Sequence, residues 1–185
     1  MRSVDLLFLG SFGFATLWAQ EQSNTNPHAA LIQDFGKRVS DYVKLRHKLE
    51  AGEPRLKPTP SPEAILHHER ELARKIRRVR AGAKQGEVFT PEITGEFRRL
   101  VGLAMQGKSA AHVHDSLKNA EPVRPILRVN EPYPAKVPLQ STPPSILLNL
   151  PGLPPELEYR IAGHSLALRD AKANLIVDIA PDVIP

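Results

Sequence analysis

The sequence predicts an α+β fold: a helical N-terminal half, a proline-rich extended segment, and a small antiparallel β-meander at the C-terminus. Three observations carry this. Apolar residues recur at helical spacing between Pro27 and Asn119. Ten prolines fall within the 34 residues from Pro122 to Pro155, a density that neither a regular helix nor a central strand tolerates. From Leu157 onward the apolar period shortens to two.

The first helix is expected over Pro27–Ala51. At about 100° per residue, Leu31, Ile32, Phe35, Val39, Tyr42, Val43 and Leu49 share an arc of roughly 120°. Gly52 and Pro54 end it. Arg46 falls inside the same arc. Either its alkyl stem lines the core edge with the head in water, or it enters a buried ion pair with an acid from a neighbouring element. The spacing is compatible with both.

Ser61-Pro62-Glu63 reads as a second helix start: a capping hydroxyl, a proline in the first turn, and an acid near the positive end of the dipole. This helix is expected to run to about Ala83 on a narrow stripe of Ile65, Leu72, Ile76 and Val79. The stiff connection EPRLKPTPSP before it suggests a helical hairpin. Thr90-Pro91-Glu92 repeats the start signal. Ile93, Phe97, Leu100, Val101 and Ala104 then form a third apolar stripe, with Gly107 as the residue beyond its end. A short fourth helix is expected over Ala110–Asn119, using Val113 and Leu117.

The helical part therefore covers 27–119 and the proline-rich segment 122–155. Ile126, Leu127, Val129, Tyr133 and Val137 suggest that this segment is laid over the helices, with one helical turn at Ser145–Leu150. The meander occupies 156–180. Leu157, Tyr159 and Ile161 alternate, Gly163-His164 suits a two-residue turn with glycine first, and Leu166 and Leu168 return. Asn174 can adopt the left-handed conformation that restarts the chain, and Leu175, Val177 and Ile179 form the third strand. So small a sheet must be packed on another part of the chain.

Residues 1–20 read as a signal peptide. Arg2 precedes a 13-residue apolar run, Leu6–Trp18, and Ala19 offers a cleavage context. That run is shorter than the roughly 20 residues a bilayer-spanning helix needs. Residues 21–185 are then expected to form a single α+β domain, periplasmic or secreted. The absence of cysteine excludes a disulfide framework, a thiolate metal site and a cysteine nucleophile. The formal charge of +5 is uneven. Residues 21–120 carry 18 basic and 12 acidic groups, net +6, whereas 121–185 carry 6 and 7, net −1.

Three stretches are familiar in combination: FGKRVSDYVKLRHKLEAG (35–52), RAGAKQGEVFTPEITGEFRRL (80–100) and LPPELEYRIAGHSLALRDAKANLIVDIAPDVIP (153–185). Together they resemble an uncharacterised family of exported bacterial proteins. The resemblance implies export and one architecture, and it brings no activity. The last stretch, in its Tyr-Arg, Gly, Leu and Ile-Val-Asp spacing, is also similar to the C-terminal β element of periplasmic nickel/cobalt-homeostasis proteins. No metal-binding residue transfers through that likeness.

The sharpest candidate site is the basic face of the second helix. Arg70, Arg74, Arg77, Arg78 and Lys84 are expected opposite Leu72 and Ile76, and 69–84 holds seven basic and two acidic residues. Such a face suits polyanion phosphates or anionic lipid headgroups, and equally a solvated surface. Glu71 lies four residues before Lys75, in pairing range. Without aromatic interleaving, sequence-specific nucleic-acid reading is disfavoured. The seven histidines are His28, His47, His67, His68, His112, His114 and His164. Local spacing brings together at most two ligands, such as His67 and Glu71, where a metal site needs three or four. No cofactor motif, nucleophile elbow or phosphate loop occurs, and Asp170, Asp178 and Asp182 read as solvated turn or strand-end acids. The expected function is a non-enzymatic binding or accessory module of the cell envelope. The alternatives are a polyanion or membrane-surface binder acting through 70–84, or an enzyme of unrecognised type.

Overall fold

A computed structural model describes residues 26–52, 60–106, 110–111, 115–116, 126–134 and 142–185. The leader, Gly107, His112, His114, Val137 and most of the expected fourth helix lie outside the described residues. The fold is α+β, with helices α1 (Pro27–Ala51), α2 (Pro62–Val79), α3 (Pro91–Ala104) and the single turn α4 (Pro144–Leu147). Strands β1 (Leu157–Ala162), β2 (Ser165–Asp170) and β3 (Leu175–Ala180) follow as an antiparallel meander in the order β1-β2-β3.

The helix starts form for the reasons the sequence offers. Ser61 Oγ accepts from the Ala64 amide at 3.3 Å, and Thr90 Oγ1 accepts from the Ile93 amide at 3.3 Å. Each satisfies an amide that the first helical turn leaves without a partner. Asn26 does the same for α1, its Oδ1 accepting from the His28 amide at 3.0 Å. One boundary differs from expectation. α2 stops at Val79 rather than near Ala83. Asn130 Nδ2 donates to the Arg77 and Arg80 carbonyls at 3.1 and 2.9 Å, closing the helix end from outside. The expected stripe also shortens. Leu72 and Ile76 are buried and Ala73 joins them, whereas Ile65 and Val79 at the two ends are exposed.

α1 packs on α2 and α3, and the sheet lays one face on the helices. The principal core draws Phe35, Val39 and Tyr42 from α1, Leu72 and Ile76 from α2, and Ile93, Phe97 and Val101 from α3, joined by sheet residues such as Tyr159, Leu166 and Leu168. Its centre is aromatic: the Phe35–Phe97 ring centroids are 4.9 Å apart, Phe89–Phe97 5.1 Å, and Phe97–Tyr159 5.9 Å.

The two turns of the meander use the expected residues. Gly163 has φ 61° and Asn174 φ 48°, so both turns place a permissive residue where the backbone is left-handed. Within β3 the side-chain parity departs from expectation. The register shifts between Leu168 and Arg169, which pair with Asp178 and Ile176, so Val177 is the extra residue of a bulge. Leu175 and Val177 join the helical side, whereas Ile179 packs with Ile176, Ala167 and Tyr133 on the opposite face.

Over residues 126–134 the proline-rich segment lays its apolar side chains on the sheet and meets the helices only at the end of α2, whereas Ile146 and Leu150 further along join the core that the helices share. Leu127, Val129 and Tyr133 pack on the outer face against Ala167 and Ile176. Its backbone also occupies the edge of β3: the Asn130 amide donates to Ile176 O at 2.8 Å, the Ile176 amide to Glu131 O at 2.9 Å, and the Tyr133 amide to Asn174 O at 3.1 Å. Pro132, which has no amide hydrogen, sits opposite Leu175 at this edge. β3 is thereby buried along its whole length.

Candidate functional site

α2 presents four arginines to solvent. Its apolar stripe, Leu72, Ala73 and Ile76, faces the core, which turns Arg70, Arg74, Arg77 and Arg78 outward. Arg70, Arg74 and Arg78 recur every fourth residue, so their Cα atoms climb about 6 Å per step along one side of the helix. Local bonds steady two of the four. Arg74 Nη2 donates to Glu71 at 2.6 Å, which holds the Glu71 carboxyl below its ordinary range. Arg77 Nη2 donates to Glu131 at 2.7 Å and its Nε to Asn130 O at 3.1 Å, tying α2 to the proline-rich segment. Arg70 and Arg78 make no ion pair among the described residues. Lys84 departs from the expected face. With α2 ending at Val79 it lies in the turn beyond, where its amide donates to Glu87 at 2.9 Å.

Arg80, in the same basic run, belongs to the interior. Its side chain is 9% exposed, its guanidinium carbon lies 5.3 Å from the centre of the Tyr42 ring, and its Nη2 donates to Val177 O at 3.0 Å. The signal was present in the sequence. At about 100° per residue Arg80 falls between Ile76 and Ala73, on the apolar side of the wheel.

The acids of the meander require a larger correction. Asp170 and Asp178, expected in solvent, are fully buried. Asp170 Oδ2 accepts from the Tyr42 hydroxyl and from Arg46 Nε, both at 2.9 Å, while Oδ1 accepts from the Ala173 amide at 2.8 Å. Arg46 is itself 2% exposed and donates to Glu50 at 2.6 Å. This places Arg46 in a buried ion pair and answers the question left open by its position on the apolar arc. Burial and then the neighbouring Asp170 charge push the Tyr42 hydroxyl well above its ordinary range, so it stays a donor. Asp178 has a different environment. Its carboxylate accepts the amides of Gly86, Val88 and Phe89 at 3.0, 2.6 and 2.8 Å, and its own neighbour Ile179 at 2.8 Å. It organises the loop that enters α3.

Three of the described histidines act as surface struts. His28 Nδ1 lies 2.6 Å from Glu96, which also holds Arg99, and His47 Nε2 lies 2.6 Å from Glu156. His164 Nδ1 lies 3.1 Å from Ile184 O. His67 is exposed, and Glu71, its expected companion, bonds to Arg74. Among the described residues no three His, Asp or Glu side chains gather as a metal site would require. Among them, too, no helix is long and apolar enough to cross a membrane. Compared with protein-family models, with curated proteins and with solved structures, the chain matches none.

Proposed function

We propose that this chain is an exported, non-enzymatic binding module of the cell envelope that docks on anionic surfaces through the outer face of α2. The observation that carries the reading is the exposed series Arg70, Arg74 and Arg78, four residues apart on one side of a helix whose other side is held in the core. An arginine next to an anionic bilayer contributes on the order of 1 kcal/mol, so a short row suffices for reversible docking. The leader-like residues 1–20 support export. The binding role is supported by the engagement of Asp170 and Asp178, the deepest acids, in bonds that hold the fold.

The test is cosedimentation with vesicles of phosphatidylglycerol and phosphatidylcholine, alongside retention on heparin, at rising salt. Retention on the anionic matrices at low salt, lost steeply as salt rises, is the expected result. Arg70→Glu with Arg78→Glu abolishes it, because neither residue is tied to a described acid. Unchanged retention in that double variant removes α2 as the contact. Recovery of the intact chain, Met1 included, from the cytosol removes the envelope.

A further inference from the structure

The structure carries a second candidate site, lined by no residue of α2. A cleft of about 420 Å³ lies between β1 and the turn that follows α4. That volume is in the range of small-molecule sites, roughly 300–1,000 Å³. Leu147, Pro151, Leu153 and Leu157 give it apolar walls. Leu147 is 43% exposed, while its neighbour Ile146 anchors α4 in the core.

One end of the cleft is charged. Glu158 and Arg160, both lining residues, project from β1 on the face away from the helices. Arg160 Nη2 donates to Glu158 at 2.5 Å, and Glu158 also receives Arg169 Nη1. Two guanidinium groups thus share one carboxylate, which leaves a local surplus of one positive charge. The contacts also fix Arg160: one of its donors is used, whereas its Nε is buried and finds no acceptor. The rest of the side chain, 19% exposed, is the part that a ligand in the cleft can reach.

We propose that this cleft binds an amphipathic monocarboxylate, its acid group at Arg160 and its hydrocarbon against Leu147, Leu153 and Leu157. The surplus charge selects an anion over an alcohol or an amine. The guanidinium offers the planar donor pattern that suits a carboxylate. The apolar walls select a chain several carbons long over acetate.

Isothermal titration calorimetry of the full chain with octanoate, octanol and acetate tests this, with amide chemical shifts of β1 as the second readout. Saturable one-to-one binding of octanoate is expected, at least tenfold tighter than octanol or acetate, with shifts centred on Glu158–Arg160. Leu147→Glu, a change at a half-exposed position that the fold tolerates, is expected to weaken octanoate at least tenfold. Arg160→Gln is expected to do the same and to erase the preference for octanoate over octanol. The double variant Arg70→Glu, Arg78→Glu retains octanoate binding, which separates this cleft from the α2 surface. The proposal is overturned by octanoate that gives no saturable heat at millimolar concentration. It is equally overturned by binding that Leu147→Glu leaves intact, since that is adsorption elsewhere.

Discussion

Arg46 of α1 and Asp170 of β2 meet in the interior, Nε to Oδ2 at 2.9 Å, across 124 positions of sequence. Both side chains are almost wholly shielded from water. Removing one partner leaves the other buried with only part of its compensation, Glu50 for Arg46 and the Tyr42 hydroxyl and Ala173 amide for Asp170, which places the cost near the lower end of about 3–5 kcal/mol. Arg46→Met and Asp170→Ala are each expected to lower unfolding free energy by that amount in urea titrations. The double variant is expected to lose clearly less than the sum, because neither charge is then stranded. Additive losses would show that the two side chains do not act as a pair.

Asp178 makes a different prediction, since its partners are amides. Asp178→Ala strips the acceptor from Gly86, Val88 and Phe89 at once. Buried donors left without a partner cost about 1–3 kcal/mol each, so a loss of roughly 3 kcal/mol or more is expected. Hydrogen exchange localises it: the amides of Val88 and Phe89 should accelerate far more than those of α1. Uniform acceleration would mean that the carboxylate supports the whole fold, not the loop before α3.

These two acids also show how far the sequence could be read. Element boundaries were legible where the chemistry is local: Pro27 and Gly52 bracket α1, Ser61 and Thr90 cap their helices, and Gly163 and Asn174 mark the turns. Asp170 carried a signal, because period two from Leu166 and Leu168 puts it on the apolar face. Asp178 carried none. Alternation from Leu175 and Val177 turns it outward, and only the bulge at Val177 returns it to the helical side. Apart from the neighbouring Ala173 and Ile179 amides, the partners of both acids lie about 90 or more positions away, beyond any local pattern. The basic face was legible as a helical stripe, but its end depended on Asn130 closing α2 from a distant segment.

Acid pH should weaken the fold. The Arg99 hydrogen bond holds the Glu96 carboxyl below its ordinary range, with His28 adding to it. Glu158 is lowered as well, its bonds from Arg160 and Arg169 outweighing the effect of burial. A carboxyl depressed in the folded state stabilises fully above its unfolded value of about 4.3, and that contribution is lost as pH falls through the lower folded value. Unfolding free energy is therefore expected to drop steeply below about pH 4.3, and Glu96→Gln to flatten that slope. A variant with the same slope as the natural chain would assign the acid sensitivity to other carboxylates.

Phe97 lies at the centre of the aromatic cluster, fully buried and in ring contact with Phe35, Phe89 and Tyr159. Phe97→Ala opens a cavity where α3 meets both α1 and the sheet. A loss of about 3–5 kcal/mol in chemical denaturation is expected, and Phe97→Leu should cost markedly less. A loss below about 1 kcal/mol for the alanine variant would mean that the three elements do not share one packed core.

Asn174 combines two roles that substitution can separate. Its backbone is left-handed, with φ 48°, and its Oδ1 accepts from Arg169 Nε and Nη2 at 3.0 and 2.8 Å. Those bonds orient the arginine that leans toward the Tyr133 ring and donates to Glu158. Asn174→Gly keeps the backbone conformation and removes the side-chain bonds, those from Arg169 and the Nδ2 donation to Tyr133 O at 3.4 Å, whereas Asn174→Ala removes the same bonds and adds roughly 1 kcal/mol of left-handed strain. The alanine variant is therefore expected to melt below the glycine variant, and both below the natural chain. Equal melting of glycine and natural chains would show that the turn needs only the backbone geometry and that Arg169 is held by Glu158 alone.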